Sequence, residues 1–151
     1  MKAMILSAGR GTRMGSISKL IPKPLTKVNK STLIELNILR LRKSGIKQVV
    51  INISWLGKMI KNHLGDGKKY GIKIKYSDEG NNILGTGGGI YNALKFLGNE
   101  PFWLINADLF TNYKININKK LLDNTYCHLI LVKNPNHNKS GDFDLQKGKV
   151  I

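Results

Sequence analysis

Three short segments in this chain are apolar on both faces, and that constrains the fold more than anything else in it. Residues 2–7 (KAMILS), Gln48–Ile53 (QVVINI) and 101–106 (PFWLIN) show no polar face. A strand of this kind is covered above and below, as in the centre of a parallel sheet. Between the first two lies a helical stretch, 31–44, with Leu33, Ile34, Ile38 and Leu41 on one side, Ser31 or Thr32 as its N-cap, and Gly45 to end it. Residues 56–64 read as a short helix closed by Gly65-Asp66-Gly67. Residues 72–76 alternate and read as a strand nearer an edge, and 86–97 read as a helix behind a glycine run. Residues 126–132 (YCHLILV) read as a further strand. Residues 140–151 read as the start of a hairpin with Gly148 near its turn. The expected fold is therefore α/β: a three-layer, Rossmann-like, mostly parallel sheet with helices on both faces. At 151 residues one domain with a real core is expected. The hairpin's second strand stops at Ile151, so the expectation is a fold whose C-terminal part is missing.

Composition narrows the function classes. The net charge is +16, from 25 basic and 9 acidic residues. The lysines are scattered rather than gathered in a stripe, and no stacking aromatics accompany them, so nucleic acid is not the expected partner. A positive field still favours anionic substrates. No apolar run approaches the ~20 residues needed to span a bilayer, and charge follows the first apolar segment at once. The single cysteine, Cys127, allows no internal disulfide. A reduced, cytoplasmic setting is the expectation. The oligomeric state is not fixed by the sequence.

Sheets of this class bind ligands beyond the carboxyl ends of their strands. Four segments occupy such positions: 8–13, 52–55, 85–89 and 107–109. The first follows the strand MIL with small residues and glycines, then Arg10 and Arg13, then Lys23 held between Pro22 and Pro24. Glycines let backbone N–H groups approach an anion, and the cations hold it. Met14 stands where a dinucleotide fingerprint needs its third glycine, and no Gly-Lys-Ser/Thr follows for a Walker A loop. A generic loop–helix junction would account for the glycines but not for Arg13 and Lys23 together. The second element, Leu84-Gly85-Thr86-Gly87-Gly88-Gly89, opens a helix whose positive end favours anions. The third is Asp108, directly after PFWLIN, where one carboxylate can hold Mg²⁺ against substrate phosphates.

Other candidates are weaker. His63, His128 and His137 have no metal-ligand spacing, and His128 and Cys127 read as strand positions. Trp103 reads as core, and Trp55 as lining a pocket or packing beside one. Glu35 reads as a solvated or capping residue rather than a catalytic one.

The stretches LSAGRGTRM…PKPL, LGTGGG and NAD resemble the sugar-phosphate nucleotidyltransferases. INISWLG, HLGDG, YGIKIKYSDEG, TGGGIYNAL, PFWLINADLFTNY and NPNHNKSGDF, in that order, resemble the N-acetylmuramate-1-phosphate uridylyltransferases of cell-wall recycling. The resemblance covers nearly the whole chain. It implies attack of a sugar 1-phosphate on the α-phosphorus of UTP, with Arg13, Lys23 and Asp108 as the catalytic groups and Mg²⁺ on Asp108. Gly11, Thr12 and Arg13 would cradle the outer phosphates. Ala8, Gly9 and Gly88 would face base and ribose, Asn106 would sit near nucleotide or metal, and Asp142 would reach the sugar. Thymidylyl or guanylyl transfer to glucose- or mannose-1-phosphate keeps the same fold, and a nucleotide-binding fragment without turnover is the non-enzyme alternative. Departures from the pattern are GSISK at 15–19, Gly85 where this subfamily often has Glu, Ile53 for a common His, and no second metal-ligating Asp after Asp144.

Overall fold

A computed structural model describes residues 1–82, 84–136 and 138–151, with the side chain of Arg13 also outside the description. His137 therefore lies outside the described residues. The chain forms two compact units, Met1–Lys119 and Lys120–Ile151.

In the first unit the elements in order are β1 (Lys2–Leu6), the short strands β2 (Lys27–Val28) and β3 (Ser31–Thr32), α1 (Leu33–Lys43), β4 (Gln48–Ile53), α2 (Gly57–Leu64), β5 (Lys73–Asp78), α3 (Gly85–Leu97) and β6 (Phe102–Asn106). The four long strands form one sheet in the order β5-β4-β1-β6, every pair parallel. Ala3 lies beside both Val49 and Trp103, and Leu6 beside both Asn52 and Asn106. Period-2 alternation then divides the core. Ala3, Ile5, Val49 and Ile51 face Ile34, Ile38 and Leu41 of α1 and Ile60 and Leu64 of α2. Met4 and Val50 face Ala93 and Leu97 of α3 on the opposite side. The three layers expected from the sequence are present, and β1 and β4 are buried because both faces are covered. The expectation of a buried strand at 101–106 does not hold: β6 stands at the edge of the sheet, where Ile105 is its one buried residue and Leu104 is 39% exposed. Each fully buried Ile, Leu or Met contributes about 1.5–3 kcal/mol.

Local chemistry sets the helix ends. Thr32 caps α1, and Glu35 reaches back to the Thr32 N–H, completing a capping box. At the other end Gly45 takes φ 92° and Ile46 N–H bonds to the Leu41 carbonyl at 3.1 Å. Lys2 Nζ donates to the Phe96 and Leu97 carbonyls at 2.8 and 2.7 Å, closing the negative end of α3. The β2–β3 hairpin was not expected from the sequence; Asn29, at φ 56°, makes its turn. No described helix is long and apolar enough to cross a membrane.

The second unit holds the expected hairpin, β7 (Leu145–Gln146) with β8 (Lys149–Val150), turned by Lys147 and Gly148 at φ 49° and 76°. Residues 126–132 form no strand. A strand exists only as part of a backbone ladder, and none of the ladders among the described residues includes this segment. Cys127 is accordingly exposed rather than packed, and His128 lies on no strand face.

Candidate functional site

Strand order reverses at β1, which is flanked by β4 on one side and β6 on the other. Loops leaving the strands there diverge and open a crevice. A cleft of about 400 Å³ occupies it, lined by residues 6–9 after β1, Lys23 and Pro24, Asn52 at the end of β4, Glu79 after β5, Gly85 and Thr86 at the start of α3, and residues 106–108 after β6. A second cleft of about 250 Å³ shares Gly9, Lys23 and Asp108 with it and is completed by Gly11, Thr12 and Met14.

Each wall has a local cause. Gly11 stands at φ 64°, where its missing Cβ leaves only 3.4 Å to the Lys23 Cβ, so the loop folds tightly over the lysine. Lys23 opens a single 3₁₀ turn set by Pro22 at φ −65°, with Leu25 N–H bonding the Pro22 carbonyl at 2.8 Å. Its ammonium pairs with the Asp108 carboxylate. Asp108 is held from behind by α1. Asn37, only 2% exposed, donates through Nδ2 to the carbonyls of Ala107 and Leu109 at 3.2 and 3.0 Å, one on each side of Asp108. Arg40 donates to the Thr111 carbonyl at 2.9 Å.

The positive end of α3 behaves differently from a free anion site. The carboxylate of Glu79 accepts from the Leu84 N–H at 3.1 Å and from Asn52 Nδ2 at 2.7 Å, so a side chain of the protein takes that helix end. Gly89 is what lets α3 approach: a Cβ there would stand 2.7 Å from Glu79 Oε1 and 2.8 Å from Asn52 Nδ2. Gly89→Ala is expected to destabilise the protein by about 1–3 kcal/mol through overpacking, despite alanine's better helix propensity. Denaturant unfolding measures it, and an unchanged midpoint would mean that the contact relaxes freely.

The structure thus brings Ala8, Gly9, Gly11, Thr12, Lys23, Asn106 and Asp108 to the two adjoining clefts. Gly88 lines neither: its missing Cβ would meet Leu84 Cβ at 2.8 Å, and Gly85 and Thr86 face the cleft instead. Asp142 belongs to the second unit, where it accepts from Asn138 Nδ2 at 3.0 Å. Trp55 packs beside the site rather than lining it, its indole N–H donating to the Ser18 carbonyl at 3.2 Å. Trp103 is half-buried against the core, its ring 6.2 Å from that of Tyr113. Glu35 is a capping residue, as expected. Burial raises its pKa, but hydrogen bonds from the Thr32 N–H, Tyr70, the Thr32 hydroxyl and His63 outweigh that and hold the carboxyl near 2. Sequence reading missed Glu79 and Asn37 as parts of the site.

Among the described residues no cluster of three His, Cys, Asp or Glu could hold a metal alone. Asp108, about two-fifths exposed at the shared wall of both clefts, fits the Mg²⁺ pattern of one or two carboxylates completed by substrate phosphates.

The model of the nucleotidyl transferase family matches residues 2–140. The chain belongs to this family. Within it, the chain is 44% identical over 149 residues to the N-acetylmuramate alpha-1-phosphate uridylyltransferase of Neisseria meningitidis, covering 96% of this chain and 64% of that protein. It is 36% identical over 151 residues to the D-glycero-alpha-D-manno-heptose 1-phosphate guanylyltransferase of Campylobacter jejuni, covering 100% of this chain and 66% of that one. The crystal structure of HddC from Yersinia pseudotuberculosis, complexed with GMP-PN, superposes with a TM-score of 0.63 at 30% identity, over 71% of this chain and 47% of that one. The chain therefore spans less than two thirds of the length of these family members.

Proposed function

We propose that the protein transfers a uridylyl group from UTP to a sugar 1-phosphate, N-acetylmuramate 1-phosphate foremost, giving a UDP-sugar and pyrophosphate. The observation that carries this reading is the 44% identity over 96% of the chain to a uridylyltransferase of that substrate. We place the reaction in the cytoplasm, in cell-wall recycling, with the two phosphate substrates rather than nucleic acid as partners.

The chemistry follows from the clefts. An oxygen of the sugar phosphate attacks the α-phosphorus of UTP, and the bond to the β-phosphate oxygen breaks, its electron pair leaving with pyrophosphate. No protein nucleophile is needed, so positioning and charge neutralisation carry the rate. Gly9, Gly11 and Thr12 offer backbone N–H groups to the triphosphate. Lys23, fixed between two prolines, holds the charge that develops around the α-phosphorus. Mg²⁺, held by Asp108 and the phosphates, would offset the repulsion between two anionic substrates. Ala8 and Gly9 leave flat space for base and ribose, and Asn106 lies beside them.

Guanylyl transfer is the second reading, favoured by the 36% identity over the whole chain to a heptose 1-phosphate guanylyltransferase. A panel of UTP, GTP and dTTP against N-acetylmuramate, heptose, mannose and glucose 1-phosphates, read as pyrophosphate release, separates the two. Release with UTP and N-acetylmuramate 1-phosphate is expected. Release with GTP alone replaces the first reading by the second, and no release with any pair overturns both.

A further inference from the structure

Asn52 interrupts the apolar run of β4, is 3% exposed, and has hydrogen-bond partners on two other elements. Its Oδ1 accepts from the Ser7 N–H at 2.8 Å, at the point where β1 turns into the glycine loop. Its Nδ2 donates to Glu79 Oε1 at 2.7 Å, and Glu79 Oε2 accepts from the Leu84 N–H, one residue before α3 begins. Glu79 is itself pinned by its N–H on the Ile53 carbonyl at 2.9 Å and is 8% exposed. One buried relay therefore runs from the loop that carries Ala8 and Gly9 to the loop that opens α3, and both loops line the same cleft.

Buried polar groups are kept where their bonds are satisfied, and such a network fixes geometry because a half-satisfied version is costly. We propose that Asn52, acting through Ser7 and Glu79, is the positioning residue that sets the separation of the cleft's two lips and thereby its affinity for a nucleoside triphosphate. The inference rests on the nucleotide-binding reading above. Asn52 works in this account because an amide presents an acceptor to one lip and a donor to the other. An aspartate would keep the acceptor for Ser7 and set a second carboxylate against Glu79.

That polarity supplies the test. Asn52→Asp is expected to weaken UTP binding by about tenfold or more, measured by titration calorimetry, and to speed amide exchange over residues 84–89 relative to α1. Asn52→Asp combined with Glu79→Gln reverses donor and acceptor: the glutamine amide donates to the new aspartate and its carbonyl still accepts from Leu84. The double variant is expected to recover affinity to within about threefold and to restore amide protection. If Asn52→Asp does not fold, the folded double variant decides alone. Wild-type affinity in a folded Asn52→Asp protein overturns the inference, as does a folded double variant that binds tenfold weaker than wild type. Absence of UTP, GTP and dTTP binding to the wild-type protein would instead sink the nucleotide reading, and the amide-exchange comparison would still judge the relay.

Discussion

Asp108→Asn is expected to lose nucleotidyl transfer on the order of 10²–10³-fold and, in the same protein, to bind metal-free UTP more tightly than wild type. The two effects have opposite signs because the proposed reaction gives Asp108 two roles. In the structure its carboxylate pairs with Lys23, which lines both clefts. Without a divalent ion that carboxylate both occupies the lysine and repels the incoming triphosphate. Neutralising it frees Lys23 and removes the repulsion, a gain of about three- to tenfold in EDTA, as expected for one charge contact in a half-exposed setting. With Mg²⁺ present the order is expected to reverse, because in the proposed reaction the carboxylate would hold the ion. Lys23→Ala is expected to weaken UTP binding under both conditions. Both side chains are about two-fifths exposed, so the pair contributes at most about 1 kcal/mol to folding and neither variant should unfold. Calorimetry with and without Mg²⁺, beside a pyrophosphate assay, reads all of this. Tighter metal-free binding by wild type than by Asp108→Asn would show that Asp108 does not oppose the phosphates.

The layered sheet was legible because burial on both faces of β1 and β4 writes itself into the sequence as mainly apolar runs, whereas β6 reads the same way and stands at the sheet's edge with Leu104 39% exposed. The walls of the cleft were legible only in part. Lys23, Asp108 and the glycines stand at loop positions that a parallel sheet exposes, and their residue types advertise anion chemistry. Glu79 sits in YSDEG among other polar residues, and nothing local separates it from a solvated surface acid. Its partner did carry a signal. Asn52 is the polar residue inside QVVINI, and a buried amide requires partners, though the sequence does not say which. Asn37 carries the same signal on α1, where it shares the buried face of Ile34, Ile38 and Leu41. The strand expected at 126–132 failed for the complementary reason. Apolar content favours burial, whereas strand structure requires a paired backbone, and pairing between distant segments is not written in either one.

Glu35→Gln is expected to destabilise the protein by about 2–3 kcal/mol at pH 7, with a deficit that shrinks as the medium is acidified. The carboxylate accepts from the Thr32 N–H at 2.8 Å, the Thr32 hydroxyl at 3.0 Å and Tyr70 at 2.7 Å, and His63 Nε2 lies 3.2 Å away. It also stands in the first turn of α1, where a negative charge meets the positive end of the helix. These donors favour the charged form more than burial disfavours it, which takes the carboxyl from the usual 4.5 to about 2. A folded-state value below the unfolded one means that the stabilisation is fully present above about pH 4.5 and is lost as pH falls through about 2. The drop corresponds to about 3 kcal/mol at most, with some loss to solvent because the side chain is 18% exposed. Glutamine keeps the shape and the bond to Thr32 but carries no charge, so the variant isolates the titrating part. The carboxylates that do not touch Glu35 titrate equally in both proteins, and the difference between their urea midpoints at pH 7, 4 and 2.5 therefore reports Glu35 together with its contact to His63. A constant difference across that range would mean that the carboxyl is bound no better charged than neutral, and equal midpoints at pH 7 would mean that the capping box adds nothing beyond what Thr32 supplies.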